Sequence, residues 1–566
     1  MAYIVNALIN AWRLLRNGYV RLTRRAPDYV VFEVGGGLLE FESPIGFLRR
    51  RLSPGPPALS LEEARRRLWR ISGDGRVRGV VLRVQNLDAG WAALEELRRE
   101  LAAYGERGGR VIAYLIEPDT RSYYLACAAD EILVTPLATV SVTGVRTRVN
   151  FVKDALQRAG VEAEVFAVSP YKSAYDTFAR QDFSDEAREQ AERLVNRRFE
   201  ELVAAVAEGR GITPGEARTK IDGAPYSASG ALKESLLDAV CYEDELAERL
   251  GVDGEKAKLA EWGVARKALK MPYRRHSRRR VGVVSLSGTI VRGRSRKLPV
   301  PLPLIGGEQA GSESVVAALR VAEKNRRVAA VLFHVDSRGG DSLASDLIWR
   351  EVRRINEKKP VVVLMGDAAA SGGYYVSASA SHIVARCNTI TGSIGVISLR
   401  PVATGLYEKL RINPVAVERG ARSGLYDASR PPTDDERKVL DGQIECIYEE
   451  FKDRVVQGRA LRPERLEKLA GGRVWTGAEA REHGLVDEIG GWQTALDKAR
   501  ELAGIEADAS EVVLKISPPK SGRPMPASAA DAVEAARELF EDYAEAGANL
   551  RTAKVWALAP YTFSED

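Results

Sequence analysis
A chain of 566 residues is too long for a single hydrophobic core, so several domains are expected, and a composition of 45% hydrophobic and 29% charged residues excludes a disordered chain. The net charge of +6 hides a local excess: residues 255 to 280 hold ten Lys or Arg against Glu255 and Glu261. No aromatic stacking platform or groove-reading motif accompanies that run, so nucleic acid is not an expected partner, and a solvated basic linker facing an anionic membrane fits it better.

The N-terminal stretch MAYIVNALINAWRLLRNGYVRLTRR has no acid, and Arg13 and Arg16 interrupt its apolar run too early for a bilayer span. No basic region precedes the apolar one, which argues against a cleavable signal. At helical spacing Ile4, Leu8, Trp12, Leu15 and Tyr19 share one face, and Asn6, Asn10, Arg13 and Asn17 share the other. That pattern predicts a helix lying on a membrane or packing on protein.

Beyond it the chain repeats itself. GVVLRV, AALEELRREL and VIAYLI in the first half reappear as AAVLFHV, SDLIWREVRRI and VVVLM in the second, and YSASGALKESLLDAV returns as WTGAEAREHGLVDEI. The offset stays between 249 and 251 residues, which is the signature of a duplicated domain rather than of short repeats. Apolar β-type runs alternating with amphipathic helices predict an α/β fold with parallel sheets and crossover helices. The expected organisation is an N-terminal amphipathic helix (1–27), a first domain (28–254), the basic linker (255–280), a second domain (281–505) and a C-terminal extension (506–566). Within that extension a helix is expected to start near Ala529.

The segment GDAAASGGYYVSA, residues 366–378, spends small residues and two glycines where a helix should begin, although glycine in a helix costs about 1 kcal/mol against alanine. Either this is a tight turn under another backbone, or Ser371 is a nucleophile whose glycines admit a substrate. Cys127, Cys241, Cys387 and Cys446 lack paired spacing, so neither a metal site nor a disulfide framework is supported, and no cofactor is expected.

Four motifs in order, VDSRGGD, AAASGGYYVSA, TGSIGV and RVWTGAEAREHGLVDEIGG, together with YKSAYDTFAR in the first half, resemble the signal peptide peptidase A family in its tandem, protease IV form. The resemblance covers roughly residues 30 to 500. It implies a crotonase-like or Clp-protease-like fold in each half, built from repeated β-β-α units. It also implies membrane association with an extracytoplasmic catalytic part, a homo-oligomer (a tetramer among the options), and cleavage of leftover signal peptides by a serine–lysine dyad. Ser371 would be the nucleophile, Lys172 the general base and Ser393 the residue orienting the lysine.

The residues themselves bear on this chemistry. Of the four histidines, His276 falls in the basic linker, His334 in a strand, His382 in a second strand region and His483 in a helix-like segment, so a Ser-His-Asp triad is poorly supported. A serine–lysine pair is a known variant. A solvated lysine, with a pKa near ~10.4, is neutral in only about one molecule in 2,500 at pH 7, so the base must be buried. Tyr171, Tyr175 and Phe178 around Lys172 suit that need.

The repeat offers an internal control. Ser371 aligns with Thr120 and Lys172 with Arg422, so each copy retains one half of a dyad, and a single shared site is expected. The N–H of Gly372, with that of Gly339 or Gly340, is the expected oxyanion donor set. Arg338 stands where the family usually has proline. Peptide substrate is expected to bind extended, as an added strand. The rival classes are a crotonase-like acyl-CoA enzyme and a catalytically silent membrane scaffold.

Overall fold
The computed structural model describes residues 2–41, 59–275, 277–302, 306–506, 512–518 and 556–558. The C-terminal helix expected from Ala529, and His276, lie outside these. The chain forms two compact units: residues 1–146 with 195–276, and residues 147–194 with 277–566.

In the first unit six parallel strands stand in the order Ala239–Val240, Glu131–Val134, Arg110–Leu115, Gly79–Leu87, Tyr29–Gly36 and Leu259–Glu261. The two longest are near-continuous runs of Val, Leu and Phe, as strands buried on both faces require. Helices Leu61–Ser72 and Trp91–Glu106 bury Leu61, Leu68 and Ile71, and Trp91, Leu94, Leu97 and Leu101, in the same core. Residues of the basic run take part in this unit: Leu259–Glu261 is its edge strand, and Trp262–Ala268 a helix.

The N-terminal helix, Ala2–Thr23, packs through its polar face. Asn6 and Asn10 donate to the Arg274 carbonyl at 3.2 and 2.8 Å, Asn17 donates to Met271 at 2.8 Å, and Arg16 donates to Leu269 at 3.0 Å. The spacing that separates the two faces therefore leaves Ile4, Leu8, Trp12, Leu15 and Tyr19 exposed. Among the described residues, no helix is long and apolar enough to cross a membrane.

The second unit contains an eight-stranded sheet. Along its main path lie Val474–Thr476, Ile390–Gly392, Val361–Ala370, Val328–Ser337, Arg280–Ser287 and Val513–Lys515; His382–Ala385 and Glu488–Ile489 branch from the third. All neighbours are parallel except Val474–Thr476 against Ile390–Gly392. The strand–helix succession of the first unit recurs here, with helix Ser342–Asn356 in the place of Trp91–Glu106 and Gly372–Ser377 in the place of Thr120–Ala126. A second sheet of seven strands runs in the order Arg296–Leu302, Gly306–Gly311, Thr289–Val291, Gly339–Asp341, Trp556–Leu558, Ile397–Val402 and Glu162–Ala167.

Candidate active site
The Val361–Ala370 strand has two successive partners on one side. Val362 to Leu364 pair with His382 to Val384, and Ala368 to Ala370 pair with Ile390 to Gly392. That register ends Ala370 opposite Gly392, so the next residues, Ser371 and Ser393, emerge side by side, and the Ser371 N–H donates to the Gly392 carbonyl at 2.8 Å. Both serines are buried and have positive φ, +54° and +51°, a conformation costing about 1–3 kcal/mol for a non-glycine residue. For Ser371 this strain falls at the junction of the Val361–Ala370 strand and the Gly372–Ser377 helix.

The glycines after Ser371 are required by contact. A Cβ on Gly373 would lie 2.5 Å from the Ser337 carbonyl oxygen, and one on Gly372 would lie 3.1 Å from Gly339 Cα and 3.2 Å from Gly340 N. The two tyrosines anchor the helix that follows: Tyr374 donates to the Leu485 carbonyl at 2.8 Å and Tyr375 to Asp346 at 2.8 Å. The first of the two alternatives, a tight turn under another backbone, is what these glycine contacts show.

The Ser337–Asp341 loop is held without the proline. Gly339, at φ +107°, donates to Ser337 Oγ at 3.1 Å, and a Cβ on Gly340 would strike the Ile290 carbonyl oxygen at 2.0 Å. Asp341 caps the next helix by accepting from Ala344 N at 2.8 Å. Behind the loop, Asp336 accepts from Ala368 N at 3.1 Å; burial and then the nearby Asp367 carboxylate hold its pKa above the usual carboxylate range, with Arg386 and Arg338 opposing.

Lys172 lies five residues beyond the Glu162–Ala167 strand, which pairs antiparallel with Ile397–Val402 from Ala167↔Ile397 onward. The pairing brings the lysine loop to the turn that holds Ser393. Lys172 is 1% exposed; its Nζ lies 2.7 Å from Ser371 Oγ, 2.9 Å from Ser393 Oγ and 2.9 Å from the Ser393 carbonyl. Burial holds its pKa well below the ordinary lysine value. Tyr175, from the predicted aromatic surround, is buried; Tyr171 and Phe178 are half-buried.

Several residues that support this lysine were missed in the sequence. A Cβ on Gly472, at φ +84°, would fall 2.7 Å from Lys172 Cα, and one on Gly395 would fall 3.4 Å from its Cδ. Gln190 donates to the Tyr171 carbonyl at 3.2 Å and accepts from Val474 N at 2.7 Å, tying the lysine loop to the Gly471–Val474 stretch. Glycine pairs flag such close approaches, but nothing in sequence connects Gly472 with a residue 300 positions away.

The aligned positions of the other copy are ordinary. Thr120 opens a helix capped by Asp119 in a reciprocal capping box with Ser122, and its hydroxyl donates to the Gly144 carbonyl at 3.0 Å. Arg422 is exposed and pairs with Asp435 at 3.0 Å. His334 is bonded to Ser285 at 3.0 Å, His382 to Glu488 at 3.0 Å, and His483 meets Trp475 edge to face. Among the described residues, no group of His, Cys, Asp and Glu could hold a metal ion.

The model of peptidase family S49 matches residues 106–257 and again residues 353–506. The chain belongs to peptidase family S49. It is a serine protease of tandem α/β form. It is 30% identical to the chloroplastic serine protease SPPA of Arabidopsis thaliana over 84% of this chain and 70% of that protein. It is 31% identical to Protease 4 of Haemophilus influenzae over 77% of this chain and 72% of the relative. A putative signal peptide peptidase SppA of Enterococcus faecium is 34% identical over 35% of this chain and 58% of its own. Among solved structures, a ClpP1 mutant from Listeria monocytogenes aligns with 38% of this chain and 94% of its own, at 15% identity and a TM-score of 0.25.

Proposed function
We propose that this S49 peptidase hydrolyses apolar peptides, leftover signal peptides among them, with Ser371 as nucleophile, Lys172 as general base and Ser393 as the residue orienting the lysine. The observation that carries the reading is the 2.7 Å contact between Lys172 Nζ and Ser371 Oγ. A neutral amine has two N–H donors and one lone pair. The two acceptors on Ser393 take the donors, and the lone pair is left facing the Ser371 hydroxyl. In this mechanism the amine takes the Oγ proton as Oγ attacks the peptide carbonyl, and the resulting ammonium returns the proton to the leaving amine. Water then repeats the cycle on the acyl-enzyme. The oxyanion would be met by the N–H of Gly372 and that of Gly340, which lies close to Gly372, whereas the expected alternative, the Gly339 N–H, already donates to Ser337 Oγ.

The same reading includes membrane association through the exposed apolar face of the N-terminal helix, next to a basic run. It places the catalytic part outside the cytoplasm and assembles the chain as a homo-oligomer, both on family likeness. Full-length Ser371→Ala should lose peptide hydrolysis while remaining folded, and Lys172→Arg should be as inactive as Lys172→Ala, because a guanidinium keeps its proton. Mass spectrometry of a synthetic signal peptide after incubation reads this. Substantial turnover by Ser371→Ala, or near-normal activity of Lys172→Arg, would remove the assignment.

A further inference from the structure
The strand that carries Ser371 is interrupted by a bulge. Val335 pairs with Met365 and Ser337 with Ala369, so Asp336 alone stands opposite Gly366, Asp367 and Ala368. The interruption falls where the strand changes partner: Leu364 pairs with Val384, and the next pairing on that side is Ala368 with Ile390. That change of partner sets Ala370 opposite Gly392 and Ser371 beside Ser393. Side chains satisfy two of the backbone groups in the bulge. Asp336 Oδ1 accepts from Ala368 N at 3.1 Å, and Thr389 Oγ1 donates to the Gly366 carbonyl at 2.8 Å. The fit is close, since a Cβ on Gly366 would lie 2.7 Å from both Cβ and Cγ of Asp336. Asp336 also precedes Ser337, whose carbonyl packs against Gly373 and whose hydroxyl accepts from Gly339 N. One side chain thus ties the nucleophile strand to the loop that carries Gly340.

We propose that Asp336 is a positioning residue for peptide hydrolysis, its bond to Ala368 N setting the placement of Ser371 Oγ relative to the oxyanion donors. The proposal rests on the reading of Ser371 as nucleophile and of the Gly372 and Gly340 N–H groups as those donors. Asp336 acts through Ala368 on one strand and Ser337 on the other. Oxyanion contacts form only as the carbonyl is attacked, so a loss of this placement is read in kcat and not in KM. Asp367, Arg338 and Arg386 are the charged groups around the carboxylate. The bond itself needs only a lone pair on oxygen, which an asparagine amide supplies in the same shape. Asp336 is half-buried, so water can reach the Ala368 N–H once the carboxylate is removed, and the fold should survive its loss.

Asp336→Ala and Asp336→Asn in the full chain, assayed on a synthetic signal peptide, test this. The kcat of Asp336→Ala should fall about 100-fold, the order for a misplacement near 1 Å, while KM stays within about twofold. Asp336→Asn should recover kcat to within about fivefold of the unsubstituted chain, because its Oδ1 still accepts from Ala368 N. Should Asp336→Ala fold poorly, Asp336→Leu fills the same space without an acceptor and should show the same loss of kcat. A fluorophosphonate probe reads the nucleophile without a peptide: its phosphorus bonds to Ser371 Oγ, fluoride leaves, and mass spectrometry locates the adduct. Labelling of Ser371 should slow about 100-fold in Asp336→Ala and recover in Asp336→Asn. Unchanged kcat and labelling in Asp336→Ala overturns the proposal. So does an Asp336→Asn no faster than Asp336→Ala, or a KM that rises as kcat falls. A probe adduct on another residue of the unsubstituted chain, with Ser371 unlabelled, would instead remove Ser371 as nucleophile and the proposal with it.

Discussion

Lys172 is held by two serines and has no carboxylate among the causes of its shift; burial alone depresses its pKa. The consequence for stability has a definite sign. Between its folded pKa and the unfolded value near ~10.4, the unfolded chain binds a proton that the folded chain does not. Stability should therefore rise with pH across that window, and this increment should vanish in Lys172→Met. Urea midpoints of the two proteins from pH 6 to 10, subtracted so that shared titrations cancel, measure it. A flat difference would mean that the lysine is not buried as a neutral amine. Peptidase activity should fall with falling pH through the same folded pKa, since the ammonium cannot accept the Ser371 proton.

Two elements owe their placement to glycine and to polar spacing rather than to apolar burial. The Gly471–Val474 stretch touches the lysine backbone so closely that Gly472→Ala should push Lys172 away from Ser371 and add left-handed strain of about 1–2 kcal/mol. Since a 1 Å misplacement can cost ~100-fold, kcat should drop by that order while the melting temperature falls only a few degrees. An unchanged kcat would show that the loop does not position the base. The N-terminal helix uses its amide and arginine side chains to clasp the backbone of residues 267–274, which leaves its apolar face outward. Replacing Leu8, Trp12 and Leu15 by Glu should abolish sedimentation with anionic liposomes and leave hydrolysis of short soluble peptides intact. Equal sedimentation would assign membrane contact to another surface.

At the scale of the molecule, Lys172 belongs to the compact unit that contains Ser371, although it comes from the first sequence copy. Both groups meet within one chain. A mixture of full-length Ser371→Ala and Lys172→Ala should therefore remain inactive, with a labelled-subunit control to show that chains exchange. Recovery of hydrolysis would place the dyad between chains. The duplication and the β-α alternation were legible in sequence because they are local patterns of strand runs and turn glycines; the candidates Ser371, Lys172 and Ser393 were legible through motifs that resemble the signal peptide peptidase A family, with the aromatic surround of Lys172 and the glycines at the helix start after Ser371 in keeping with it. The complementary loss at Thr120 and Arg422 even indicated that one site should serve two copies. What sequence could not supply is distance across the chain. The segment 147–194 enters the second unit because its Glu162–Ala167 strand finds an edge at Ile397–Val402, and hydrogen-bond pairing between strands has no signature in either sequence alone. For the same reason Gly472 and Gln190 acquire their relation to Ser371 only when the sheets are assembled. Local chemistry determined which residues could act; the register of the strands decided which of them meet.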